Sequence, residues 1–275
     1  MIKLYNIDHF SLEETFLCGQ CFRWKKDENG TFYGVVGQDV VKMYYVDEKT
    51  IYVESTNPDL VYWSRYLNFS CDYNQAEEFL KKDEKLIKPC RAGYGIRILR
   101  QELFETIISF IISANNNIPR IKKIIESLCT NFGEKIEFDK KVFYGFPTPE
   151  KLASLELSDL KVIKAGFRDK YILDAAKKVS SGEIKLSEIE KMGDAAAKKE
   201  LMKICGVGTK VADCILLFSL GRHSVFPLDV WTKRIIGDLY GVEEKAIPSF
   251  VKDKFGIYSG IAQQYFYYYY AIKKN

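Results

Sequence analysis

Residues 201–231 read LMKICGVGTKVADCILLFSLGRHSVFPLDVW, and the rest of the chain is organised around them. The pattern is helix, tight turn, helix, loop, and the start of another helix. Gly206 and Gly208 flank Val207, so the turn can use backbone angles that a Cβ forbids. Thr209 is placed to cap the next helix, whose apolar residues (Val211, Ala212, Ile215, Leu216, Phe218) keep a helical period. A Gly-x-Gly turn opening a helix points several unpaired N–H groups outward at its positive end. A phosphate fits such an anion site.

Lys210 follows directly after GVGT, in the first turn of the second helix. Asp229 comes nineteen residues later, in PLDVW, where it can cap the following helix. This hairpin resembles the helix-hairpin-helix of DNA-repair glycosylases. Within that superfamily the pairing of Lys210 with Asp229 marks the bifunctional enzymes, and GVGTKVADCI…PLDVW is most similar to the 8-oxoguanine DNA glycosylase/AP lyases. A hairpin alone also serves as a nonspecific phosphate clamp. Lys210 would then be one more phosphate contact and Asp229 an ordinary cap.

At 275 residues the chain suggests about two domains and can bury a real core. Hydrophobic residues make up 47% and charged residues 28%, so the chain is globular rather than disordered. A net charge of +4 permits a nucleic-acid partner without arguing for one. Seven cysteines at irregular spacing suit reduced thiols. Cys18 and Cys21 form a single CxxC, and with only two histidines a closed zinc site is not expected. The N-terminus lacks a signal pattern and no apolar run is long enough to span a bilayer, so the expected setting is cytoplasmic, with no membrane partner.

Residues 1–58 read as an antiparallel sheet. TFYGVVGQDVVKMYYV and TIYVEST are aromatic and β-branched, with turn signals between them. From about Pro58 the pattern reads as helical to the end. Helices are expected over 76–88, 98–114 and 121–131, from Pro149, and within 160–179. Trp24 reads as core, and Lys273, Lys274 and Asn275 as a tail. The fold expected is α+β. An N-terminal antiparallel β-sheet domain with flanking helices spans 1–95. A mainly α-helical helix-hairpin-helix glycosylase domain spans 96–275, with the hairpin at about 200–220.

The resemblance covers most of the chain through GQxFRW, NNNIxR, GFR, GVGTKVADC, DVW and an Ala-Gln helix, in family order. It implies roles position by position. Lys210 is the nucleophile at the sugar C1′, and Asp229 balances charge there. A lysine must be neutral to attack, a form favoured by burial and by the positive end of a helix. The carbonyl of Gly19 accepts the N7 proton of the damaged base. Gln263 and Tyr267, four apart on one helix face, read and stack on that base, with Cys214 near the opposite wall. Phe167, where most members carry tyrosine, wedges into the stack. Asn115, Arg120 and Arg168 face the base left in the duplex. Gly206 and Gly208 hold a backbone phosphate.

The reaction implied is excision of 8-oxoguanine from double-stranded DNA, preferably opposite cytosine, by base flipping, a lysine Schiff base and β-elimination. No cofactor is implied and the enzyme is expected to act as a monomer. No metal is expected in the chemistry, although the family hairpin can hold a structural cation on the carbonyls of Met202, Ile204 and Val207. Family members often carry histidine where this chain has Trp231, so one phosphate contact does not carry over. The alternatives are a hairpin glycosylase for another damaged base and a noncatalytic DNA-binding module. The endonuclease III branch carries four cysteines near its C-terminus, and here none follows Cys214. The alkylation branch typically lacks the hairpin lysine.

Overall fold

A computed structural model describes residues 2–5, 7–48 and 50–273. The N-terminal part holds β1 (Ile2–Tyr5), α1 (Leu12–Phe16), β2 (Trp24–Lys26), β3 (Phe32–Val36), β4 (Asp39–Asp47) and β5 (Thr50–Ser55). The strands form one antiparallel sheet in the order β1-β5-β4-β3-β2. Helices α2 (Leu60–Tyr66), α3 (Tyr73–Leu80), α4 (Glu84–Ala92), α5 (Leu103–Ser113) and α6 (Ile118–Phe132) follow. Then come β6 (Lys135–Phe138), β7 (Lys141–Tyr144), α7 (Pro149–Ala153), α8 (Asp169–Ser180), α9 (Leu186–Ile189) and α10 (Asp194–Leu201). The chain continues with α11 (Thr209–Phe218), α12 (Val230–Tyr240), α13 (Ile247–Phe255) and α14 (Ser259–Tyr267).

The architecture is the expected α+β arrangement, with local differences. The helix expected over 76–88 is two helices. The first ends at Leu80, and Asp83 caps the second, its carboxylate accepting from Lys85 N–H at 3.0 Å. The helix expected from residue 98 starts at Leu103, and 98–102 carry no regular secondary structure. A two-stranded hairpin, β6–β7, interrupts the helical run. Lys273 ends a π-helical turn over Tyr268–Lys273 and donates to the Ala92 carbonyl. Lys274 and Asn275 lie outside the described residues.

Two hydrophobic cores meet along the chain. One lies behind the sheet, where Trp24 is 1% exposed and stacks on Phe16 with centroids 3.6 Å apart. The other lies among the helices and includes Ile107, Leu128, Ile172 and Leu216. They interlock across residue 95. Helices α3 and α4 bury Tyr73, Ala76, Leu80, Leu86 and Cys90 in the helical core, while Leu99 packs behind the sheet. The half-buried Glu105 on α5 joins the two parts. Its carboxylate accepts from Arg23 at 3.3 Å and from Gly37 N–H at 3.0 Å, while burial pushes its pKa up. Among the described residues no helix is long and apolar enough to cross a membrane.

Candidate functional site

The hairpin joins α10 to α11. Gly206 has φ +84°, and a Cβ there would lie 2.7 Å from the Tyr171 ring, so the position requires glycine twice over. Gly208 differs from expectation. Its φ is −89° with open space around it, so nothing in its backbone demands glycine. It is also the N-cap of α11, which makes Thr209 the first helical residue rather than the cap. The Gly208 carbonyl already accepts from Ala212, as an N-cap should. The first-turn amides of α11 point out at the positive helix end.

Lys210 extends from that first turn into a cavity of about 540 Å³, within the range of small-molecule sites. Asp229 lines the same cavity, at the N-terminus of α12. A reciprocal capping box fixes it: Oδ1 accepts from Thr232 N–H at 2.7 Å, and Thr232 Oγ1 accepts from Asp229 N–H at 2.9 Å. Thr232 Oγ1 also lies 3.0 Å from Oδ1. Both contacts use Oδ1, and neither engages Oδ2. The Lys210 ammonium stands 5.7 Å from the centre of the Phe110 ring, which stacks on Phe218. Cys214, one turn along α11, lines the same wall. Burial pushes its thiol up to about 11 against the pull of Lys210, so at neutral pH it remains a thiol.

Gly19, Gln263 and Tyr267 line the cavity. Gly19 has φ +87°, and a Cβ would sit 3.4 Å from the Tyr267 ring and 3.3 Å from Ile118. Its neighbours are pinned. Buried Gln20 donates to Thr15 O and Arg97 O at 2.9 and 2.7 Å and accepts from Leu99 N–H at 2.9 Å. Gln264 Nε2 donates to Cys18 O at 3.1 Å. Gln263 is 4% exposed, and its Oε1 is buried without a hydrogen-bond partner among the described residues. An orphaned buried acceptor at a cavity wall is a place for a ligand donor. Tyr267 supplies a ring wall. Burial, then the charge of Asp229, pushes its hydroxyl up to about 12, so it stays neutral.

The remaining expected residues surround the mouth. Asn115 is exposed at φ +49° and lines the cavity, and Arg120 is exposed on the first turn of α6. Phe167 is 59% exposed, a large apolar ring held in water. Arg168 departs from the expectation of a base-facing arginine. It is 3% exposed and donates to the carbonyls of Ala114, Ala165 and Asn115, holding the asparagine loop in place. Arginine's five donors suit such a knot of carbonyls. Met202, Ile204 and Val207 frame the hairpin turn, where Ile204 O accepts from Val207 N–H at 3.0 Å.

Sequence reasoning missed the floor and the lip. Phe110 reads simply as one apolar residue of α5. Val230 and Trp231 are 81% and 44% exposed and line the mouth; the only hint was bulky apolar residues directly after a polar cap.

Residues 2–107 match the family model of the 8-oxoguanine DNA glycosylase N-terminal domain. Residues 108–256 match that of HhH-GPD superfamily base excision DNA repair proteins. The N-glycosylase/DNA lyase of Arabidopsis thaliana is 32% identical over 92% of this chain and 75% of its own length. MBOgg1, solved with a low-affinity DNA ligand, superposes with a TM-score of 0.95 at 44% identity, covering 99% of this chain and 96% of that one. The 8-oxoguanine glycosylase/lyase of Clostridium acetobutylicum, solved with double-stranded DNA carrying cytosine opposite 8-oxoguanine, gives 0.92 at 40% identity, covering 98% and 94%. With the hairpin lysine, the capped aspartate and the glutamine-tyrosine cavity in one fold, the chain belongs to the 8-oxoguanine DNA glycosylase family of the helix-hairpin-helix superfamily.

Proposed function

We propose that this enzyme excises 8-oxoguanine from duplex DNA, preferentially opposite cytosine, by flipping the base into the cavity beside Lys210. Family membership makes it a DNA N-glycosylase with lyase activity at abasic sites. The observation that carries the substrate is the convergence of Gly19, Gln263 and Tyr267 on the cavity that holds Lys210 and Asp229. A base inside a duplex cannot be reached, so it must leave the stack. The orphaned Gln263 Oε1 meets a purine edge that carries N–H donors, as N1–H and the exocyclic amine of 8-oxoguanine do. The Gly19 carbonyl would accept the N7–H that guanine lacks. Guanine would set a lone pair against a buried carbonyl, at a cost of a few kcal/mol, roughly 10²-fold in selectivity.

Lys210 Nζ attacks C1′ as the bond from C1′ to N9 breaks, and the bonding pair leaves with the base. Asp229 balances the positive charge that develops on the sugar. Sugar-ring opening gives the Schiff base. Loss of a proton from C2′ then expels the 3′ phosphate, and the strand is nicked.

The hairpin amides at Gly206 and Gly208 hold a phosphate, Phe167 fills the gap, and Asn115 and Arg120 face the partner base. A cytosine edge offers two acceptors and one amine. Arg120 supplies donors, and the Asn115 carbonyl accepts from the amine. Arg168 supports this reading indirectly, by fixing the loop that carries Asn115. Borohydride trapping on 8-oxoguanine duplexes tests the proposal. Wild type should become covalently attached to DNA, and Lys210→Gln should bind without excision or trapping. Trapping by Lys210→Gln would overturn the assignment, and binding by wild type without excision would leave a noncatalytic clamp.

A further inference from the structure

One face of α8 grips the hairpin turn. Tyr171, Asp174 and Lys178, at spacings of three and four, point the same way. The Tyr171 ring lies directly under Gly206, where it fills the space of a Cβ. Asp174 Oδ2 accepts from Cys205 N–H at 2.8 Å. Lys178 Nζ donates to Lys203 O at 2.6 Å and pairs with Asp174 at 3.3 Å. The segment entering the turn is therefore held at two points by one relay, from Lys203 O, through Lys178 and Asp174, to Cys205 N–H. The relay occupies the Cys205 amide and does not use those of Gly206 and the α11 first turn. Lys178 offsets a carboxylate that would otherwise repel a phosphate approaching the turn.

The same helix begins at the wedge. Phe167 and Arg168 form the turn that leads into α8. The Phe167 ring meets Tyr171 edge-on, with centroids 6.0 Å apart at 78°. The Arg168 guanidinium lies over Phe167 at 4.4 Å and holds the carbonyls of Ala114 and Asn115. The phosphate turn, the wedge and the partner-base loop thus converge on one rigid element.

We infer that α8 couples phosphate capture at the hairpin to insertion of Phe167, with Asp174 as the positioning residue that transmits the register. This rests on the functional reading above. When the turn seats on a phosphate, Tyr171 and Asp174 fix where α8 sits, and so the depth to which the ring enters the stack. The roles are mechanical, and none of the three α8 residues touches the reacting atoms.

A double-mutant cycle tests the coupling. Wild type, Asp174→Ala, Phe167→Ala and the double variant are titrated with a duplex holding a tetrahydrofuran abasic analogue beside 2-aminopurine. That analogue has no C1′ leaving group, so binding is read without chemistry. Asp174→Ala should bind about tenfold more weakly and, at saturating protein, lose most of the 2-aminopurine rise that reports unstacking. Adding Asp174→Ala to Phe167→Ala should cost threefold or less. Asp174→Asn keeps an acceptor for Cys205 N–H and should restore both readouts. A full tenfold loss in both backgrounds, or an intact fluorescence rise in saturated Asp174→Ala, overturns the inference. Should Asp174→Ala fail to fold, the same cycle is run with Tyr171→Ala. A wild type that neither excises 8-oxoguanine nor traps on DNA fails the functional reading instead, and independently of the cycle.

Discussion

Replacing Asp229 by asparagine separates what its carboxylate does for the helix from what it does for the reaction. All its caps run through Oδ1, which takes Thr232 N–H at 2.7 Å and lies 3.0 Å from Thr232 Oγ1. An asparagine carbonyl can stand in the same place, and asparagine ranks with aspartate as an N-cap. Asp229→Asn should therefore unfold in urea within about 0.5 kcal/mol of wild type, whereas Asp229→Ala should lose about 1 kcal/mol. The chemistry feels the lost charge instead. A carboxylate about 4 Å from a unit positive charge on the sugar contributes about 4 kcal/mol at an effective dielectric of about 20. At 1.36 kcal/mol per decade, single-turnover excision should fall by roughly a thousandfold. Asp229→Ser keeps a cap without a charge and should match asparagine in rate. An asparagine variant that excises within threefold of wild type would reduce Asp229 to a cap. A rate loss that follows unfolding free energy across the three variants would refute the separation altogether.

The two hairpin glycines should part company. Gly206→Ala should cost about 1–3 kcal/mol in urea unfolding, because φ is +84° and the Tyr171 ring blocks a Cβ. Gly208→Ala should fold like wild type, with φ at −89° in open space, yet bind duplex DNA more weakly if its methyl intrudes on the proposed phosphate site. Arg120→Ala should relax discrimination among opposite bases by about 1–3 kcal/mol in single-turnover rates on the four duplexes; a uniform drop would reassign it to a phosphate. His223 is held neutral by burial, with its pKa lowered to about 4. The unfolded chain then takes up a proton first as pH falls, so stability should decline from about pH 6.5 to pH 4, by at most about 3 kcal/mol, and level off below. His223→Gln should flatten that window in thermal melts.

The sheet and the hairpin were legible because each has a local cause, whereas Lys210 and Asp229 were singled out through the family resemblance. Alternating β-branched residues specify β3 to β5, and a Gly-x-Gly turn ahead of an apolar helical stripe specifies α11. The β6–β7 hairpin was not legible, because its turn places Asp139 and Lys140 at φ +50° and +59° without the glycine that normally announces such a turn. The break between α3 and α4 hides in a charged run, where Asp83 looks like one more surface residue until its carboxylate is seen capping Lys85. Arg168 shows a different limit. An arginine beside a wedge residue reads as a DNA contact, and only the tertiary fold brings the Ala114 and Asn115 carbonyls round it. The Gly208 expectation failed because the sequence shows that a residue is small, not whether its backbone or a neighbouring ligand asked for it.

Gln263 Oε1, buried without a hydrogen-bond partner among the described residues, is a standing cost to the fold. An acceptor buried without a partner destabilises by about 1–3 kcal/mol, and an apolar residue of similar size would remove that strain. Laboratory evolution for heat resistance without an activity screen should therefore reach position 263 early and settle on leucine or methionine. The resulting protein would be sturdier and blind to its lesion. Survival of glutamine through such a passage would itself report that repair was still under selection.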